Sequence, residues 1–565
     1  MSMLTQSRRT PGRLLICLLL LAIVSDSCKD KNRSDIPAEL HKKVILSGDS
    51  TRLIFATNAA NYYSPYMLER RSAKDPFVLT KLSIDEERDL FPESLSRDGN
   101  LLSMVSENLK TRAFDIYTYD LTTHVLSNIT KTDDVDDSSP AFSPSDTKMA
   151  FLSDARLKLY DYTSGAVNVV PHPPGINYRN LVWCVNGSKL WLEDDSSDIW
   201  QYEVLSGKTT EIWTAPRTCY LASRMITPCR DDANCFYFLS DHASNFNQIY
   251  KYDPVGGIRL IAGSDTDKYL IQRPVADSGF YYKSSEDGKL VVKEIRDGRP
   301  ISIGPKNGVS FDHILDRYND HIFLFSDLTR PASLFWEKDG NMENIAGITS
   351  TDTMPAPRIF HNAAGMVNYV YQPRSAQKGW VAWLHGGPNE QMSPRFNTYL
   401  LQLLKAGWAV IVLNYPGSTG IGNSYEWREA SPERLLSIQL QTIREDLLAI
   451  KQVFPSLNKY SIVGVSHGSI AAHAYAHLYK NEIDKLIDFS GIALYSKDQS
   501  AIPPTLYIYG EYDFSLSKRG RVRLLDEDSK TGQATRVIIP GEGHVINHRD
   551  DIIQVCSTIT AFLGK

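Results

Sequence analysis

The chain of 565 residues has little that would commit it to a membrane, a metal or a nucleic acid. Its 61 Lys and Arg against 66 Asp and Glu leave a net charge of −5, with no basic stripe and no long acidic tail. Charge therefore indicates neither a nucleic acid nor a polybasic membrane contact. Only seven cysteines are present, with no CxxC pair and no His/Cys cluster at zinc-ligand spacing, so no structural metal and no cofactor is expected. The longest apolar run, Leu14 to Val24, is about 11 residues and too short to span a bilayer comfortably. What is there, 42% hydrophobic and 22% charged residues over this length, is the composition of a globular protein with two large domains.

The short apolar run follows Arg8, Arg9 and Arg13 and precedes Ser25-Asp26-Ser27-Cys28. A basic flank and a short apolar stretch read as a secretory signal over residues 1–28, with a linker over 29–42 and a periplasmic or cell-envelope destination. Cys28 resembles the lipidated cysteine of bacterial lipoproteins, although Ser25 and Asp26 stand where such signals prefer Leu and a small residue. Lipidation at Cys28 with membrane attachment, plain cleavage and an uncleaved anchor all remain open. Export would permit a disulfide, and Cys229 with Cys235 is spaced to clip one hairpin; buried thiols are the other reading.

Between about residues 43 and 350 the sequence repeats. Seven times an apolar or aromatic strand ends in an acid: Glu69, Asp120, Asp161, Glu203, Asp253, Glu294 and Glu337. A spacing of about 40–50 residues is the length of one four-stranded propeller blade, which predicts seven blades. Turns such as Ser96-Arg-Asp-Gly-Asn100 and Cys184-Val-Asn-Gly-Ser188 lead into further strands. The acids read as strand-end and turn residues, and the run Asp133 to Asp137 as a solvated loop rather than a calcium site.

From about residue 355 to 565 the texture changes. Apolar strands at Trp380 to Leu384, Trp408 to Leu413, Tyr460 to Val463, Leu486 to Phe489 and Thr505 to Tyr509 alternate with helical stretches at Leu436 to Val453 and Ile470 to Tyr479. This pattern predicts a parallel α/β sheet, whose sites form beyond the carboxyl ends of its strands. Ser466 lies at such an end, in Gly464-Val-Ser-His-Gly468, between a strand and a helix. The glycines allow the strained turn that leaves a serine hydroxyl exposed at a helix entrance.

A serine needs a base, and the base needs a carboxylate to hold its tautomer. Downstream, Asp513 follows Gly510-Glu-Tyr and His544 follows Gly541-Glu-Gly. Glu511 is the rival carboxylate, and His548 is the rival histidine, without the glycine-framed position of His544. His385-Gly-Gly-Pro388, directly after a strand, offers backbone N–H groups for an oxyanion at Gly387, with the N–H of His467 as partner. The His385 ring itself reads as a brace for its loop.

These residues, together with Asn414-Tyr-Pro-Gly-Ser-Thr-Gly-Ile-Gly422, resemble the prolyl oligopeptidase-type serine peptidases, above all their acylaminoacyl-peptidase and dipeptidyl-peptidase branch. The resemblance implies a seven-bladed β-propeller at 43–350, an α/β-hydrolase domain at 355–565, and a propeller that admits peptides rather than folded proteins. It implies a triad of Ser466, Asp513 and His544 with an oxyanion hole from Gly387 and His467. Pro416 replaces the usual arginine, Ser469 a usual glycine, and the interval from Ser466 to Asp513 is 47 residues, shorter than such proteins usually show. An exported peptidase is the reading that results. An esterase or other acyl hydrolase with the same triad, or a non-catalytic propeller protein that binds a ligand, is the alternative. Exo- or endopeptidase action, P1 preference and oligomeric state are not encoded in any readable motif.

Overall fold

The computed structural model describes residues 37–84, 87–109, 111, 113–132, 134–215, 226–270, 280–387, 389–426, 430–491, 503–514, 516 and 534–565. The expected signal segment, Cys28 and Cys219 lie outside them.

Seven four-stranded antiparallel sheets form the amino-terminal half, each a simple meander. The first runs from strand Leu40–Leu46 to Val78–Lys81 and the seventh from Val309–Leu315 to Asn341–Asn344. The first strand thus starts at Leu40, within the stretch read as linker. Second strands are apolar on both faces, because a neighbouring blade covers each: Leu53 to Ala56, Met149 to Leu152 and Ile322 to Phe325 are almost fully buried.

All seven repeat acids fall on the third strand of their blade. Asp120 accepts the Thr122 and Thr123 amides at 2.8 and 2.9 Å, and Asp161 those of Thr163 and Ser164 at 3.0 Å. These acids close the turn to the outer strand by pairing amides that the turn would otherwise leave bare. Glu294 departs from this pattern. Its strand continues to Arg296 and turns at Asp297 and Gly298, both at positive φ, so Glu294 is buried within the strand instead of ending it. Asp137 also departs from expectation: it is fully buried, opens a strand and accepts the Thr132 hydroxyl at 2.6 Å.

Among the described residues no strand is exchanged between the first and last blades. The ring closes instead through a shared core that includes Leu53, Phe55, Leu324 and Trp336. Beside it, buried Arg70 of the first blade pairs with Asp316 and Asp320 of the seventh. Its guanidinium lies 4.7–4.9 Å from the rings of Phe77, Tyr318 and Trp336. Cys229 and Cys235 form a disulfide between the first two strands of the fifth blade, while Cys184 and Cys556 are buried free thiols.

The carboxyl-terminal half is one eight-stranded sheet: β1 Arg358–His361, β2 Val367–Tyr371, β3 Gly379–Leu384, β4 Trp408–Leu413, β5 Tyr460–Val465, β6 Ile483–Phe489, β7 Thr505–Gly510 and β8 Ala534–Ile539. Their order is β1-β2-β4-β3-β5-β6-β7-β8, parallel from β4 onward. Helices α1 (Thr398–Lys405) and α4 (Arg549–Gly564) cover one face, and α2 (Pro432–Val453) and α3 (Gly468–Leu478) the other. Strands β1 and β2 and helices α1 and α4 were not anticipated from the sequence. Both faces being covered explains why β3, β4 and β5 read as continuous apolar runs.

The two halves meet through one face of the propeller, the face of the turns between second and third strands. Asn58 donates to the Asn547 carbonyl at 2.9 Å, Asn61 accepts the Asp550 amide at 3.0 Å, and Asn245 accepts the Ser424 amide at 2.8 Å. Asp267, between the fifth and sixth blades, accepts the Gly422 amide at 3.1 Å. The turns capped by Asp120 and Asp161 face the other way, at the opposite ends of their strands.

Candidate active site

Ser466 follows the last residue of β5 and precedes α3, at a φ of 48°. That conformation is costly for a residue with a Cβ and is held by its surroundings. A Cβ at Gly464 would lie 2.6 Å from the Ser469 Cα, and one at Gly468 would lie 2.4 Å from the His385 carbonyl oxygen. Only glycine fits at either position, so the elbow is specified by close packing against the β3 loop and the start of α3.

Across the cleft the Ser466 Oγ lies 2.9 Å from His544 Nε2, and His544 Nδ1 lies 3.0 and 3.1 Å from the two oxygens of Asp513. Asp513 is buried, just past the carboxyl end of β7. Its carboxylate accepts the Nδ1 proton, which leaves the lone pair of Nε2 facing the serine hydroxyl. Glu511 points elsewhere and accepts the Gly541 amide at 3.0 Å. His548 is taken up by Glu542 at 3.2 Å and Asp551 at 3.4 Å. Burial works against its charge, but these carboxylates outweigh burial and hold its pKa above the usual value.

The loop after β3 runs beside the nucleophile: a Cβ on Gly386 would lie 3.2 Å from the Ser466 Cβ. Gly387 has a φ of 115°, in the region that favours glycine. His467 is the N-cap of α3, so its amide belongs to the positive end of that helix. His467 adjoins Ser466 in the chain, and on the other side the loop approaches the serine at Gly386, the residue before Gly387. The His385 ring is buried, stacked on Tyr415 with centroids 4.8 Å apart, and lies 2.9 Å from the Ser418 hydroxyl. Tyr415 in turn donates to the His385 carbonyl. Burial depresses the pKa of His385, and burial together with the neighbouring His385 brings that of His467 down to about 4. Both rings are neutral at physiological pH.

Other residues at the site carry no readable sequence motif. Phe514 is exposed and its ring lies 4.3 Å from that of His544. Glu542 is buried and accepts the amides of Asn547 and His548, at 3.1 and 2.8 Å, which closes the loop that presents His544. Burial raises its pKa to about 7. Behind the elbow, His473 of α3 and Tyr509 of β7 both contact the buried Asp488, at 2.8 and 3.0 Å. At the domain junction a cavity of about 980 Å³ reaches His544. It is wide enough for a small peptide.

No family profile and no characterised protein matches the sequence. Solved structures do match in shape. An acylaminoacyl peptidase from Pyrococcus horikoshii is 14% identical, with a TM-score of 0.69 over 94% of this chain and 96% of its own. A puromycin-hydrolyzing peptidase from Mycobacterium tuberculosis is 14% identical, with a TM-score of 0.73 over 95% of both chains. A prolyl endopeptidase is 12% identical, with a TM-score of 0.75 over 93% of this chain and 89% of its own. With seven blades, a covered α/β sheet and this coverage, the chain has the propeller-and-hydrolase fold of the prolyl oligopeptidase-type serine peptidases.

Proposed function

We propose that this protein is an exported serine peptidase that cleaves peptides through an acyl-enzyme on Ser466. The observation that carries the reading is the unbroken chain from Ser466 Oγ through the His544 ring to buried Asp513, each link about 3 Å long. His544 takes the serine proton as Oγ attacks the scissile carbonyl, and Asp513 stabilises the imidazolium that forms. The oxyanion is received by the amides of Gly387 and His467, and His544 then returns its proton to the leaving amine. Water attacks the ester in the second half, with His544 again as base.

The fold shared with an acylaminoacyl peptidase and a prolyl endopeptidase supports peptide substrates. The junction cavity supports access between the domains, with the propeller as gate. The basic, apolar amino terminus and the Cys229–Cys235 disulfide support export, and Cys28 is the site at which a lipid would be attached. No described helix is long and apolar enough to cross a membrane.

A fluorophosphonate probe is expected to label the wild-type protein at Ser466 and to leave Ser466→Ala unlabelled. Folded wild-type protein that stays unlabelled would refute the reading. Turnover of p-nitrophenyl esters without turnover of any peptide amide would instead assign a carboxylic ester hydrolase.

A further inference from the structure

On its propeller side the junction cavity is lined by apolar and aromatic residues together with the acids Glu39, Glu87, Asp89 and Glu107 and the cation Arg88. On its hydrolase wall, besides His548 with its carboxylate partners, stands an arginine. Arg395 stands two residues before Asn397, the N-cap of α1, and its guanidinium lies 5.1 Å above the Phe311 ring of the seventh blade. Glu39 and Glu390 are near enough to act on its charge. Among the described residues, however, none forms a salt bridge or a hydrogen bond with it.

A guanidinium presents five N–H donors in a planar fork that matches a carboxylate in two parallel hydrogen bonds. Arg395 is half-buried and none of its nitrogens is both buried and unpaired, so in the free protein water reaches the fork, and a carboxylate entering the cavity would take the place of that water. Burial already pushes the Arg395 pKa down, in keeping with a charge that the protein itself leaves poorly compensated. The positive end of α1 begins beside it, and Asn397 and Thr398 line the same cavity, so the helix end and the guanidinium both attract an anion here, against the opposing charge of Glu39 and Glu390. The Phe311 ring beneath the guanidinium supplies an apolar floor.

We infer that Arg395 is a carboxylate-recognition site of the cavity that reaches His544, and that it selects peptides bearing a carboxylate at that position. The inference rests on the peptidase reading and deepens it by naming a substrate class. Two sources share the chemistry: the free carboxyl terminus of a short peptide, and an Asp or Glu side chain within a longer one.

The test reads binding to the full chain in a Ser466→Ala background, where no peptide is consumed. Two matched peptide pairs are titrated by calorimetry, one ending in a carboxylate or a carboxamide, the other carrying an internal Glu or Gln. The carboxylate member of one pair is expected to bind about tenfold or more tightly than its partner. The first pair assigns the chain terminus, the second a side chain. Adding Arg395→Ala should bring that ratio to about one, and Arg395→Lys should leave it between the two. Equal affinities within both pairs, absence of binding by every peptide, or a preference that survives Arg395→Ala would each overturn the inference. If Arg395 only braces the domains on Phe311, Arg395→Ala lowers the melting temperature and leaves the ratio unchanged. The peptidase reading fails by a different readout, the absence of Ser466 labelling in folded wild-type protein.

Discussion

At Asp513 the geometry makes a quantitative demand. Its two oxygens share the His544 Nδ1 proton at 3.0 and 3.1 Å, so the tautomer that lets Nε2 act as base depends on a negative acceptor there. Asparagine would offer an amide donor and stabilise the wrong tautomer. Asp513→Asn should therefore lower kcat by about 10³–10⁴-fold while the fold persists, as measured by peptide turnover beside thermal melting. Asp446 of α2 makes a different demand, on stability. Burial raises its pKa to about 6, with the Asn368 amide donating at 2.8 Å. An unfolded carboxyl titrates near 4, so between pH 4 and 6 the folded state keeps a proton that the unfolded state has lost. Stability contributed at this site is present below that window and is lost as pH rises through it, by about 2–3 kcal/mol. Asp446→Asn should be more stable than wild type at pH 7.5, with the advantage gone near pH 4, when denaturant midpoints are compared at both values.

Elements differ in how legible they are. The strands β3 to β7 and the seven blades show in the sequence because covered strands are continuous apolar runs and because each blade repeats an acid on its third strand. Helix α1 does not show, since a helix of eight residues offers barely two turns of apolar spacing. The elbow at Ser466 and the partners Asp513 and His544 are visible through their glycines, which the close contacts at Gly464 and Gly468 require. Arg395, Phe514 and Glu542 are not, because what distinguishes them is their neighbours across the fold. Glu542 shows how much such a residue carries for its element. It holds the loop from Pro540 to His548 closed by accepting amides at the start of α4, and that loop presents His544. Glu542→Ala leaves those buried donors unpaired, a loss of about 1–3 kcal/mol. Steady-state kinetics should show a larger fall in kcat than rise in KM, with Glu542→Gln recovering part of the loss; an unchanged kcat would show that the loop holds its shape without this carboxyl.

For the whole molecule the closure of the ring decides whether the propeller is one body. Each blade is a complete four-stranded meander, and among the described residues no hydrogen-bonded ladder joins the seventh blade to the first. The joint depends on side chains: the core around Phe55 and Trp336, and the buried Arg70 with its partners Asp316 and Asp320. Such an ion cluster adds little net stability over an apolar contact of equal size, yet removing one member strands a buried charge. Arg70→Ala would leave two carboxylates facing a hole between three aromatic rings and should cost about 3–5 kcal/mol. Replacing charge and partners together, as in Arg70→Met with Asp316→Asn and Asp320→Asn, should cost much less. The thermal transition of the propeller is therefore expected to fall in the single variant and to recover in the triple one. Ser466, which lies in the other domain, should remain open to a fluorophosphonate in both below that transition. A single variant that melts with the wild type would show that the apolar core alone closes the ring.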